Sequence, residues 1–363
     1  MDQELQKQLE EVHGKEVQET IVPVQTATKV SEEEFFSVLK MVAPGTQLRQ
    51  GIDSALKAGK GALMVVENEQ LVPIIDGGFR VNCRFTPQRF VELCKMDGAI
   101  IVAPDVKRIN YANVMLTPQA AIKSLETGTR HKAAERTAKQ IGTLVIAISE
   151  RRHEVTFFYK NLRYPLKATE EIRRKANEQI QAIEKQRTLF DLHVDRLNQL
   201  ELKSHPSLNK ALLVIQKGAI IQSIAEDMKR YIIELGNEST LLKARLKELI
   251  QDVEKETMLV IKDYTKLDVK KSQLLLQTLS YDELLDTENL LKVLGYEQAH
   301  HTPIKGWRIL DKTFLDDAKI ADIIKNAGTL EKTVKSTEIH AALLDYEQIT
   351  RLKDDFERIK FNT

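Results

Sequence analysis

The chain has 363 residues, of which 42% are hydrophobic and 29% charged, and its formal net charge is +1. So even a balance excludes a global field that would draw the chain to nucleic acid or anionic lipid, and leaves only local patches for such binding. No apolar run reaches the ~20 residues of a membrane helix, and the length suits two or three domains of roughly 100–200 residues each. The two cysteines, Cys83 and Cys94, have no metal-knuckle spacing. Without a secretory signal they are expected to be reduced thiols in the core of a cytoplasmic protein.

Residues 1–30 form an N-terminal extension, Gln-, Glu- and Lys-rich over Met1 to Glu19. Ser31-Glu32-Glu33-Glu34 then predicts a capped helix start with acid in its first turn. A second short helix is expected over Gly51–Lys60, stopped by Gly59. Short Val- and Ile-rich runs follow: Ala62–Val66, Leu71–Ile75, Ala99–Val102, Leu144–Ile148 and Val155–Tyr159. Each is bounded by turn formers or charges and predicts a buried strand. Thr86–Met96 and Arg130–Ile141 read as amphipathic helices between them, and Ser149–Glu154 as a hairpin turn with two arginines. Strands mixed with helices over residues 31–166 predict an α/β domain, a mixed sheet flanked by helices.

After Tyr164-Pro165 the strand-like runs cease. Leu and Ile recur at helical spacing among charges, so residues 167–280 are expected to be an all-α spine. Breaks at His205-Pro206 and Gly236-Asn237 divide it into helices over 168–203, 207–235 and 238–265. Residues 281–363 are expected to form a small C-terminal domain of short helices, about 282–293, 314–326, 329–341 and 346–360. Such a unit could be a helix-hairpin-helix module or a plain helical cap.

Two stretches carry the chemistry. Asp97-Gly98-Ala99 puts a carboxylate and two small residues at the mouth of a strand, where they suit a divalent ion or a sugar hydroxyl. An ordinary Asp-Gly turn explains the same residues. Gly128-Thr129-Arg130-His131 opens a helix with free N–H groups, a hydroxyl, a guanidinium and an imidazole, all suited to phosphate; a capped surface helix is the plainer alternative. Ser149, Arg151 and Arg152 could close on a triphosphate from the hairpin. Asp76-Gly77-Gly78-Phe79 reads as a tight turn. Walker and dinucleotide fingerprints are absent, and so are HExxH and paired CxxC motifs. The residues by themselves give a nucleotide- or phosphate-binding α/β domain on a helical stalk, with the reaction open.

MDGAIIV, then ETGTRHKAAERTAKQ, then LVIAISERR, in that order, resemble the diadenylate cyclase family. DGGFRVNCRFTPQRFVELCKMDGAII, YANVMLTP and NLRYPLK resemble its DNA integrity scanning subgroup, and the order of cyclase, spine and small C-terminal domain matches over nearly the whole chain. The resemblance implies condensation of two ATP into cyclic di-AMP and two pyrophosphates, with Mg²⁺ or Mn²⁺, at a site shared by two facing domains of a homo-octamer. By motif, Asp97 would help hold the metal and activate the ribose 3′-hydroxyl, and Gly98 and Ala99 would line the nucleotide. Gly128 would open the phosphate-binding turn, where Thr129, Arg130 and His131 would grip phosphates, His131 being a second candidate metal ligand. Ser149 and Arg152 would reach the phosphates, and Leu116 would pack on adenine. A non-catalytic nucleotide- or DNA-binding scaffold of the same fold is the alternative.

Two departures bear on these implications. Ala133 stands where many relatives carry Thr. The family's glycine-containing hairpin, whose amides hold a DNA phosphate, is replaced by Leu343-Leu344-Asp345-Tyr346. Asp345 would repel a phosphate, so this sequence weakens the implied binding of branched DNA.

Overall fold

An eight-stranded sheet with one parallel pair organises the first of two units, which ends at Lys167. The computed structural model describes residues 29–296, 303–335 and 343–361. The expected N-terminal extension lies outside them, apart from Lys29 and Val30.

Chain order in this unit is α1 (Glu32–Met41), α2 (Gln47–Lys57), β1 (Ala62–Val66), β2 (Ile75–Asp76), β3 (Phe79–Arg84), α3 (Pro87–Leu93), β4 (Ala99–Val102) and β5 (Arg108–Leu116). It continues with α4 (Thr129–Ile141), β6 (Leu144–Ser149), β7 (Glu154–Tyr159) and β8 (Leu162–Leu166). The strands lie in the order β2-β5-β4-β1-β6-β7-β8, with β3 also on β5. Only β1 and β4 run parallel; the other pairings are antiparallel.

Every residue of β1 and β4 is buried, as expected for central strands covered on both faces. On one face Val65, Ile101, Val145 and Phe158 pack with Ala134, Ala138 and Ile141 of α4. On the other, Phe157 stacks on Tyr164, which meets Phe35 of α1 edge-on at 5.4 Å. The Ser31 capping box forms, with Glu34 N–H donating to Ser31 Oγ at 3.2 Å.

One expected strand is corrected. Over Leu71–Ile75 the chain makes a 3-10 turn, Val72–Ile74, and only then joins the sheet. Pro73 lacks the N–H a ladder needs and fixes φ in the turn range. The helix expected from Gly51 begins earlier, at Gln47, because Thr46 caps it by accepting Arg49 N–H.

The second unit begins at Ala168 and is helical: α5 (Thr169–Leu202), α6 (Leu208–Leu235), α7 (Thr240–Ile250), α8 (Val253–Tyr264) and α9 (Val269–Thr278). Short helices follow: α10 (Tyr281–Leu285), α11 (Thr287–Val293), α12 (Trp307–Asp311), α13 (Asp317–Ala327), α14 (Leu330–Lys335) and α15 (Tyr346–Phe361). The third expected spine helix is broken where Asp252 takes a left-handed φ of 61°. The spine and the C-terminal helices share one hydrophobic core running from Ile172 to Phe356, so no core boundary falls at residue 281. A buried charge network binds them: Arg308 of α12 pairs with Glu201 of α5 and Glu256 of α8. Asp263 accepts the N–H groups of Gly306, Trp307 and Arg308 at 2.9–3.0 Å, filling the start of α12.

Candidate active site

The strand directions decide where the site lies. Because β1 and β4 are parallel and their neighbours β5 and β6 are antiparallel to them, the starts of β1 and β4 and the ends of β5 and β6 meet at one edge of the sheet. There Asp97, Gly98 and Ala99 enter β4, Asn113–Leu116 leave β5, and Ser149–Arg152 leave β6. The N-terminus of α4 supplies Gly128, Thr129, Arg130 and His131. All ten residues expected at the site, Asp97, Gly98, Ala99, Leu116, Gly128, Thr129, Arg130, His131, Ser149 and Arg152, line a single cleft of about 840 Å³.

The local chemistry explains each wall. Gly98 has φ +84°, and a Cβ there would lie 2.8 Å from the Val114 carbonyl oxygen, so only glycine allows β4 to approach β5 this closely. Asp97 is thereby held exposed at the mouth. The N-cap of α4 is Gly128, which has no side chain to satisfy the first N–H groups, and the first turn carries no acid. An uncapped start of this kind favours an anion. In the hairpin, Arg152 N–H donates to Ser149 Oγ at 3.3 Å, closing the turn that presents Arg151 and Arg152.

His131 is buried, and burial, with the charges of Arg152, Arg130 and Arg163, pushes its pKa below the ordinary value of 6.5 against the pull of Glu126. The imidazole is therefore neutral near pH 7, which suits a ligand or hydrogen-bonding role better than a cationic grip on phosphate. Cys94 is a buried free thiol pushed up to about 12, by burial against the opposing charge of Arg130, and so is no nucleophile.

The loop between β5 and α4 is strapped down by one face of the helix. Arg136 donates to the carbonyls of Ile122 and Ala120, and Lys139 to that of Lys123. Glu135 accepts from Ser124 Oγ and Leu125 N–H, and Gln140 accepts Gln119 N–H. The approach to Thr127 and Gly128 is therefore fixed by side chains of the helix that it introduces.

The family description "DisA bacterial checkpoint controller nucleotide-binding" matches residues 49–162, and "DisA bacterial checkpoint controller linker region" matches residues 166–302. The chain is 40% identical over 316 residues to the DNA integrity scanning protein DisA of Bacillus subtilis, covering 84% of this chain and 88% of that protein. It belongs to the DisA family. The DisA proteins of Acetivibrio thermocellus, at 39% identity over 77% of this chain and 81% of theirs, and of Clostridium kluyveri, at 36% over 89% and 91%, are similar in the same way.

Parts of the wall of this DisA-family cleft lie outside the sequence motifs. Asn113, with φ 54°, sits where the β4–β5 register slips between Ala99 and Ile101, and the bulge turns it to the cleft. Met115, Thr127 and Glu150 also line the cleft. Nothing in the sequence marks Asn113, because its positive φ comes from the bulge and is visible only in the folded chain.

Proposed function

We propose that the chain is a diadenylate cyclase that condenses two ATP into cyclic di-AMP and two pyrophosphates. The observation that carries this reading is the convergence of an exposed carboxylate, an uncapped helix start with Arg130, and the Arg151–Arg152 hairpin on one cleft of about 840 Å³. Phosphoryl transfer requires little beyond positioning and charge stabilisation, and these are the parts it needs.

In this reading Leu116 packs on adenine, while Thr129, Arg130, Ser149 and Arg152 hold the triphosphate. Asp97 takes the proton of the ribose 3′-hydroxyl. The new bond joins that oxygen to the α-phosphorus of the other ATP, the α–β bridging bond breaks, and pyrophosphate leaves; the second half repeats this. Among the described residues no cluster of three or more His, Cys, Asp or Glu could cage a metal ion. Asp97 and neutral His131 offer two donors, which fits Mg²⁺ or Mn²⁺ whose shell is completed by water and nucleotide phosphates. A bound ion would supply neutralisation of developing phosphate charge.

A single cleft cannot bring its own 3′-hydroxyl in line with a second ATP, so a facing cyclase domain is part of the proposal, and with it the homo-octamer. Its support is exposed apolar surface: Met115 in the cleft wall is 63% exposed, and Met96, next in sequence to Asp97, is 46% exposed. No helix among the described residues is long and apolar enough to cross a membrane. With Cys83 and Cys94 both free, we place the enzyme in the cytoplasm.

Regulation by branched DNA through the C-terminal helices belongs to the proposal on the strength of the relatives' name. Two features oppose a phosphate there: Asp345 caps α15 by accepting Gln348 N–H at 2.8 Å, and Asp263 occupies the amides of α12. Titrating salt against a four-way junction tests it. A steep slope is expected for phosphate contacts, and a flat response removes the DNA role.

The deciding experiment incubates the protein with ATP and Mn²⁺, with and without a chelator, and resolves products by chromatography. Metal-dependent cyclic di-AMP is expected. An intact oligomer that binds ATP and yields none points to the scaffold alternative.

A further inference from the structure

Gly61, the residue before β1, lies under the guanidinium of Arg130. A Cβ at position 61 would stand 2.1 Å from Arg130 Nη1, 3.2 Å from its Cζ and 3.4 Å from the Ile148 carbonyl oxygen. Gly61 is buried and is not among the glycines with positive φ, so contact and not backbone conformation demands a glycine here. Two of the three neighbours belong to a side chain that begins on the first turn of α4 and reaches across to the sheet. The third is fixed, because Ile148 pairs with Ala62 in the antiparallel β1–β6 ladder. A methyl group at position 61 would therefore displace the guanidinium and leave the strand in place.

Arg130 forms no ion pair among the described residues. It rests against the glycine, with the protonated Cys94 thiol near enough to feel its charge, so no carboxylate consumes that charge. A guanidinium has to be aimed for its planar fork to meet phosphate oxygens, and a flat, featureless support restricts it more than an open surface would.

We propose that Gly61 is a positioning residue for the triphosphate, holding the Arg130 guanidinium in the cleft by presenting no side chain beneath it. This rests on the nucleotide reading of the cleft, and it adds a residue from outside the phosphate-binding motifs.

The test uses the full-length chain and four forms: the parent, Gly61→Ala, Arg130→Ala and the double variant. ATP and adenosine are titrated by calorimetry with Mn²⁺ present, and thermal midpoints are recorded. Gly61→Ala is expected to weaken ATP roughly tenfold or more, the scale of a lost charge-assisted hydrogen bond, and to leave adenosine affinity unchanged. In the double variant ATP affinity should equal that of Arg130→Ala alone, since the group the methyl displaces is gone. Should Gly61→Ala lower the midpoint, Arg130→Ala should restore it. Unchanged ATP affinity in Gly61→Ala, an equal loss for adenosine, a further loss in the double variant, or a double variant as unstable as the single overturns the proposal. A parent that binds ATP but forms no cyclic product rejects the reaction while leaving this comparison intact. A parent that binds ATP no better than adenosine rejects both.

Discussion

Gly218 of α6 and Thr257 of α8 meet where the two helices cross, so closely that a Cβ at position 218 would sit 2.0 Å from Thr257 Oγ1. That hydroxyl is not free to swing away, since it donates to the Val253 carbonyl at 2.7 Å. Ala is favoured over Gly inside a helix by about 1 kcal/mol, but overpacking here is expected to cost about 1–3 kcal/mol. Gly218→Ala should therefore lower the urea midpoint of the parent, and by less in a Thr257→Ala background, where the hydroxyl is gone and only the residue 257 Cβ, 3.1 Å away, remains. An equal loss in both would refute the contact.

Asp97→Asn keeps the shape of the cleft mouth and removes the proposed base. Cyclic di-AMP formation should fall by at least about 10²-fold, the low end for a general base, while ATP affinity changes little. Product chromatography beside an ATP titration separates the two effects. Equal losses in both would make Asp97 a binding group only.

Glu135 gives the loop before α4 a pH limit. Burial acts to raise its pKa, but hydrogen bonds from Lys139, Ser124 and Leu125 N–H outweigh it, and the group lies below its ordinary value of 4.5. A depressed folded pKa means that the stabilisation is complete above the unfolded value and lost as pH falls through the folded one. Amide exchange at Leu125 and Glu126 should stay protected down to about pH 4.5 and accelerate below it beyond the intrinsic trend. Glu135→Gln should show the loosened loop already at neutral pH.

Arg308 is fully buried between Glu201 and Glu256, and Tyr264 Oη donates to Glu201 at 2.9 Å. Truncating one member of such a cluster strands the others in a dry interior. Arg308→Ala is expected to cost about 3–5 kcal/mol, read from chemical unfolding of the helical unit.

Val106, in the turn joining β4 and β5, has φ 56°, a conformation that β-branched residues tolerate poorly. It lies at the end of the sheet away from the cleft. Val106→Asn should raise stability by about 0.5–1 kcal/mol and leave nucleotide affinity unchanged. A lower melting midpoint would show that Val106 packing outweighs its backbone strain.

The central strands were legible because β1, β4 and β6 are near-continuous apolar runs, the signature of burial on both faces. β3, β5 and β8 were not: FRVNCR is mostly exposed, RINYANVML carries an Arg and two Asn, and LRYPL contains a proline at the sheet edge. The spine helices announced themselves by period until Asp252, whose left-handed turn has no glycine or proline to mark it. At the site, the motif residues fall together because their motifs sit at strand and helix ends. Asn113 and Gly61 escaped because a bulge and a side-chain contact placed them, and neither is a local property of the sequence.

The strapping of the β5–α4 loop has a consequence for how the site opens and closes. Five backbone groups of that loop are already committed to Glu135, Arg136, Lys139 and Gln140. It is a wall and cannot serve as a lid. If a second cyclase domain faces this cleft, closure over ATP comes from association and not from loop movement. Nucleotide binding and self-assembly would then be thermodynamically linked, each tightening the other by the same factor. Apparent ATP affinity would rise with protein concentration, and dilution by itself would release the nucleotide.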